Sequence, residues 1–140
     1  MGSPISQRLL DIVDALPLKR DMRVLEIGCG PGAMAREMAK RVGAGKVVAI
    51  DRSAKAIAQA IAGSAEEIAA GRLEFRQSEA ESFALEVGEA PFDIAVAVRV
   101  GALDGRHPEA GVKARAAIAK VLKPGGRLFI DGAPIREIGL

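Results

Sequence analysis

Apolar residues along the chain alternate between two periods. Ile5, Leu9, Ile12, Val13 and Leu16 recur at helical spacing, and Pro17 stops that run. Arg23 to Ile27 is a short, nearly continuous apolar stretch and predicts a strand. From Ala33 to Val42 the spacing is helical again: Met34, Met38 and Val42 form the inner stripe, Arg36, Glu37, Lys40 and Arg41 the outer one, and Gly43 and Gly45 close the helix. Lys46 to Asp51 predicts a second strand. Ser53 caps a helix whose inner face is Ile57 and Ile61. Gly63-Ser64 interrupts it, and Ser64 with Glu67 has capping-box spacing for a restart that Gly71 ends. "RLEFRQ", "FDIAVAV" and "RLFID" predict strands three, four and five. A helix over 112–122 lies between the last two, followed by a turn at Pro124-Gly125-Gly126.

Strands alternating with helices imply parallel βαβ units, and a strand four apolar on both faces requires helices on both sides of the sheet. The expected fold is therefore α/β: a doubly wound, mostly parallel sheet of order 3-2-1-4-5 in a single domain over 1–140. Residues 1–17 hold the N-terminal helix. Residues 132–140 form a tail too short for a further helix and strand pair, so strand five should be an apolar edge, which invites a homodimer there.

Composition narrows the function. The chain has 140 residues, is 49% apolar, and carries 20 basic against 18 acidic residues for a net charge of +2. That balance does not argue for nucleic acid, and with no Trp or Tyr there are no stacking platforms for single strands. No apolar run spans a membrane and no targeting segment is read. One cysteine, Cys29, fits a reducing cytoplasm. No Cys/His cluster suggests a metal.

The chemistry concentrates where strand one ends, in "VLEIGCGPG" from Val24 to Gly32. Ligands of open α/β sheets bind beyond the strand ends at the winding reversal. Glycine permits positive φ and lets backbone amides approach a ligand, and the following helix N-terminus suits an anion. Asp51, ending strand two, can accept both hydroxyls of a ribose. Gly28, Gly30 and Ala33 also satisfy a dinucleotide fingerprint. A nicotinamide enzyme would need a second half of sheet, and only nine residues follow Asp131.

With those residues in view, the chain resembles the class I S-adenosylmethionine-dependent methyltransferases from about Val24 to Asp131. "VLEIGCGPG" is similar to their first motif, "VVAIDRS" to the second, "FRQSEAESF" to the third, "PFDIAVAVRV" to the fourth, and "VLKPGGRLFI" to the turn and strand that follow. The resemblance implies S-adenosylmethionine as cofactor. Its site would be formed by Glu26, Gly28, Cys29, Gly30, Gly32, Asp51, Arg52, Glu79, Ala80 and Arg99, with Glu26 ordering the amino-acid end and Glu79 and Ala80 near the adenine. It also implies in-line methyl transfer to a small-molecule acceptor, or else a non-catalytic cofactor-binding unit. The loop from Arg99 to His107 would meet the acceptor. Its candidate bases are His107 and Asp104. Arg99, Arg106, Lys113 and Arg115 are a candidate basic rim. The loop lacks an Asn/Asp-Pro-Pro-Tyr signature, which disfavours adenine-N6 and glutamine acceptors.

Overall fold

The computed structural model describes residues 4–135. Helix α1 (Gln7–Ala15) starts at Ser6, whose side chain accepts from the Leu9 amide, and leads to β1 (Arg23–Ile27). Next come α2 (Ala33–Arg41), β2 (Lys46–Asp51), α3 (Ala54–Ala62), α4 (Ala65–Ala69) and β3 (Leu73–Gln77). A 3-10 turn (Ala80–Ser82) precedes β4 (Phe92–Ala97), α5 (Pro108–Val121), β5 (Leu122–Ile130) and β6 (Ala133–Ile135). The sheet order is β3-β2-β1-β4-β5-β6, parallel except for β6. The predicted doubly wound sheet of order 3-2-1-4-5 is therefore present.

Side-chain alternation splits the core into two layers. On one face Val24, Val47, Ala49, Phe75, Ile94 and Val96 pack against Val13, Met34, Met38, Ile57 and Ala60 from α1 to α3. On the other, Leu25, Ile27, Val48, Ile50, Ala95 and Leu128 pack against Ala114, Ile118 and Val121 of α5 and against Ala80 and Phe83. Central strands must be apolar on both sides to serve both layers, which is why β1, β2 and β4 read as continuous runs. No described helix is long and apolar enough to cross a membrane.

Several expectations are corrected. Strand five is not a free edge: β6 pairs antiparallel along Leu128–Ile130, so the stated basis for a dimer through strand five is gone. The hairpin turns at Asp131-Gly132, both with positive φ (51° and 90°), a conformation Asp-Gly turns favour. The expected tail beyond residue 135 lies outside the described residues. Helix α5 begins at Pro108, four residues before the predicted Val112, because proline at the first helical position and Glu109 in the first turn both favour a start there. In α3 the buried pair is Ile57 and Ala60, whereas Ile61 is 47% exposed. Ser64 stands at the N-cap position of α4 as expected, but its side chain makes no capping hydrogen bond. Its hydroxyl instead accepts from Arg36 Nη1 at 3.0 Å, and Arg36, expected on the outer stripe of α2, is buried.

An ionic chain ties the starts of the strands to the loop before β4. Lys46 reaches Glu74 at 2.8 Å, Arg76 reaches Glu74 and Glu89 at 2.6 Å each, and Arg23 reaches Glu89 at 3.2 Å. Hydrogen bonding to Arg76 holds Glu74 down at about 2 and lowers Glu89 as well. A depressed carboxylate contributes stability above its ordinary value of 4.5 and loses it as pH falls through the folded value. We expect Arg76→Ala to cost about 1–2 kcal/mol at pH 7, moderated because Glu74 keeps 35% of its side chain in solvent. Urea unfolding should show that difference shrinking between pH 4.5 and pH 2.

Candidate functional site

The site is built where β1 runs into α2. The amides of Gly28 and Cys29 donate to Ile50 O at 2.8 and 3.0 Å, so the turn folds over the end of β2. The Gly30 amide donates to Asp51 Oδ2 at 2.9 Å, and the Gly32 amide to Cys29 O at 3.1 Å. Gly28, Gly30 and Gly32 all have positive φ, of 73°, 54° and 91°. The expectation that these amides face a ligand is thus corrected: at 28, 29, 30 and 32 they bond within the protein. What the glycines supply is absent side chains. A Cβ at Gly28 would come within 2.7 Å of Val100 Cγ2, and one at Gly30 would project into open space. At Gly32 it would press on Arg36, Phe75 and Ala60 at 3.0–3.2 Å, so Gly32 serves packing.

Asp51 is held from both sides, since its Oδ1 accepts from the Ser53 amide at 2.9 Å. Its carbonyl accepts from the Ser78 amide at 3.0 Å, which draws the loop after β3 toward the strand tip. Glu26 shares this face of the sheet and is only 4% exposed. Its Oε1 is buried with no hydrogen-bond partner. Burial, and then the Asp51 charge, push its carboxyl up to about 8 against an opposing pull from Arg36. Burial likewise raises the Cys29 thiol, and its side chain packs in the core beside the turn. Arg36 Nη1 donates to Pro31 O at 3.0 Å as well as to Ser64, and so clamps the turn to the α3–α4 junction.

A cavity of about 620 Å³ opens beside this turn. Of the predicted residues, Gly28, Asp51, Arg52, Glu79, Ala80, Arg99 and His107 line it, while Glu26, Cys29, Gly30, Gly32 and Asp104 do not. Lys113 and Arg115 of the expected basic rim also stay outside, and Arg106 lines it. Ile27, Ser78, Glu81 and Ala110 are lining residues that sequence reasoning did not single out, whereas Val100, Gly101 and Ala102 belong to the loop expected to meet the acceptor. Only their position marked the first four: Ile27 ends β1, Ser78 and Glu81 follow β3, and Ala110 lies in the first turn of α5. Asp104 accepts from Arg106 Nε at 2.8–2.9 Å, which lowers its carboxyl and makes it a poor base. No group of three or more metal-ligating side chains occurs among the described residues.

The volume suits a nucleoside-sized ligand. The unpartnered buried Glu26 Oε1, the Asp51 carboxylate and the missing side chain at Gly30 are compatible with S-adenosylmethionine, whose ammonium, sulfonium and ribose want acids and close approach.

Comparison with known proteins agrees with this geometry. Residues 24–126 match the family described as a methyltransferase domain. Over 130 residues the chain is 36% identical to nocamycin O-methyltransferase of Saccharothrix syringae, covering 92% of this chain and 43% of that protein. A methyltransferase structure from Geobacter sulfurreducens, described as SAM-dependent and in complex with S-adenosyl-L-homocysteine, superposes with a TM-score of 0.67 at 27% identity. The match covers 93% of this chain and 49% of that one. The 4+2 cyclase SpnF superposes with a TM-score of 0.72 at 27% identity, over 87% of this chain and 43% of that one. The chain spans about half the length, or less, of these relatives.

The raised Glu26 carboxyl has a signed consequence in the ligand-free protein. Its favourable share of stability is complete below 4.5 and is lost as pH rises through about 8. Glu26→Gln removes that loss. Urea unfolding should show a variant near wild type at pH 4.5 and more stable by roughly 3–5 kcal/mol at pH 9.

Proposed function

The chain belongs to the class I S-adenosylmethionine-dependent methyltransferase family, and from that membership we propose that it methylates a small-molecule acceptor. The observation that carries the reading is the Asp51 carboxylate, tied to the Gly30 amide at the rim of the cavity and opposite the β4–α5 loop. When bound, the cofactor would supply a methyl group on a sulfonium, with its thioether as the leaving group once the acceptor takes the methyl. Asp51 would hold the ribose hydroxyls, Glu26, buried behind the cavity wall, would favour the cationic amino-acid end, and Ala80 and Glu79 would flank the base. Gly28 keeps the floor open. The acceptor enters between Arg99 and His107, and His107, the candidate base that lines the cavity, takes a proton where the acceptor must lose one. The name of the nocamycin relative supports an oxygen acceptor.

A second reading, a cofactor-binding unit that does not transfer methyl groups, is favoured by the cyclase match, since one fold serves different reactions. Transfer of labelled methyl from S-adenosylmethionine to a pool of small molecules separates the two: incorporation supports the enzyme. Binding of S-adenosylhomocysteine without incorporation into any pool supports the second reading. For the site itself, Asp51→Ala should weaken S-adenosylhomocysteine about 10- to 100-fold by calorimetry, from losing charge-assisted hydrogen bonds of about 1.5–3 kcal/mol. Unchanged affinity would remove Asp51 from the site.

A further inference from the structure

The cavity wall is divided by charge. Asp51, Glu79 and Glu81 line the side at the ends of β2 and β3, with Arg52 among them. Arg99, Arg106 and His107 line the side between β4 and α5. The two arginines differ in what holds them. Arg106 is engaged: Asp104 takes its Nε and Nη2, and its Nη2 also reaches Arg99 O at 3.3 Å. The Arg99 guanidinium has no hydrogen bond or ion pair to another described residue.

It is the backbone of Arg99 that is fixed. Its φ is +54°, a left-handed conformation that a long side chain seldom adopts. The Asp131 carboxylate holds it there by accepting the Arg99 amide at 2.8 Å, and Asp131 is itself left-handed, with its amide bonded to Ala97 O at 2.8 Å. A costly main-chain conformation is thus maintained at a cation that lines the acceptor side of the cavity and whose guanidinium is not tied to another described residue. A guanidinium presented in this way matches a carboxylate or phosphate with two parallel hydrogen bonds.

Resting on the reading above, we propose that Arg99, positioned through its backbone by Asp131, is the acceptor-side anion receptor, so that the methyl acceptor carries a carboxylate or phosphate group. This moves Arg99 from the cofactor set implied by resemblance to the acceptor side, and it makes Asp131 a positioning residue.

The same chemistry could come from the carboxylate of the cofactor, and the experiment separates the two sources. The full chain, saturated with S-adenosylhomocysteine, is titrated with benzoate, phenyl phosphate and neutral benzamide. Wild type should prefer the two anions at least tenfold, and Arg99→Gln should abolish that preference while Arg99→Lys keeps part of it. Asp131→Ala should reduce the preference, and Asp131→Asn, whose amide oxygen can accept the same N–H, should restore it. Thermal unfolding of each variant reports whether the hairpin survives, and Arg99→Gln decides the matter alone if it does not. Equal uptake of benzamide and the anions by wild type overturns the proposal. So does an Arg99→Gln variant that keeps the anion preference, or one that loses S-adenosylhomocysteine affinity with 5′-methylthioadenosine, which lacks the amino-acid end, unaffected. Wild type that takes up no S-adenosylhomocysteine sinks the parent reading instead, and the anion titration of the free chain then decides the role of Arg99.

Discussion

The turn after β1 is fastened to the tip of β2, and the remainder of the molecule is arranged around that junction. Two successive amides converge on Ile50 O, and a third is taken by the Asp51 side chain. Neighbouring parallel strands therefore end in one bonded corner. With side chains at 28 and 30 the corner would lose its shape or its opening, because the first is crowded by Val100 and both need positive φ. The cavity is the space left over when this corner is made, roofed by the loops that follow β3 and β4.

Charge is concentrated on the α1–α3 face beneath the corner. Burial, and then the Asp51 charge, raise the cost of ionising Glu26, and the buried Arg36 offsets part of it. An acid that is both desolvated and beside another acid does not improve a fold by itself. Its presence is physically reasonable if a cation completes the group. An acid that is costly to ionise in the ligand-free chain is thus one suited to a cationic ligand, a common trade between stability and function.

Much of this was legible from residue order alone. Period changes marked five parallel strands and their helices, and the glycine turn with Asp51 marked the binding end of the sheet. What escaped was decided by tertiary packing. Arg36 falls on the polar stripe of α2 by periodicity, yet the small neighbours Gly32 and Ser64 leave room for its guanidinium to bond inward. Ala60 displaces Ile61 from the core because α3 is rotated relative to the simplest apolar stripe. The amides of the glycine loop were assigned to a ligand because sequence cannot say which carbonyl lies opposite. The Asp-Gly pair at 131–132, flanked by "RLFI" and "API", was a readable hairpin signal. A segment of three residues after that pair is enough for β6, which is why the shortness of the tail hides the pairing.

The left-handed corners at Arg99 and Asp131 join two strand ends that are 32 positions apart in the chain. The β5–β6 hairpin and the rim of the cavity are consequently linked by a direct hydrogen bond. If Arg99 receives the acceptor, changes in β5, β6 or their connection would retune which acceptors are admitted without any altered side chain meeting them, so preference would drift through residues that no ligand touches.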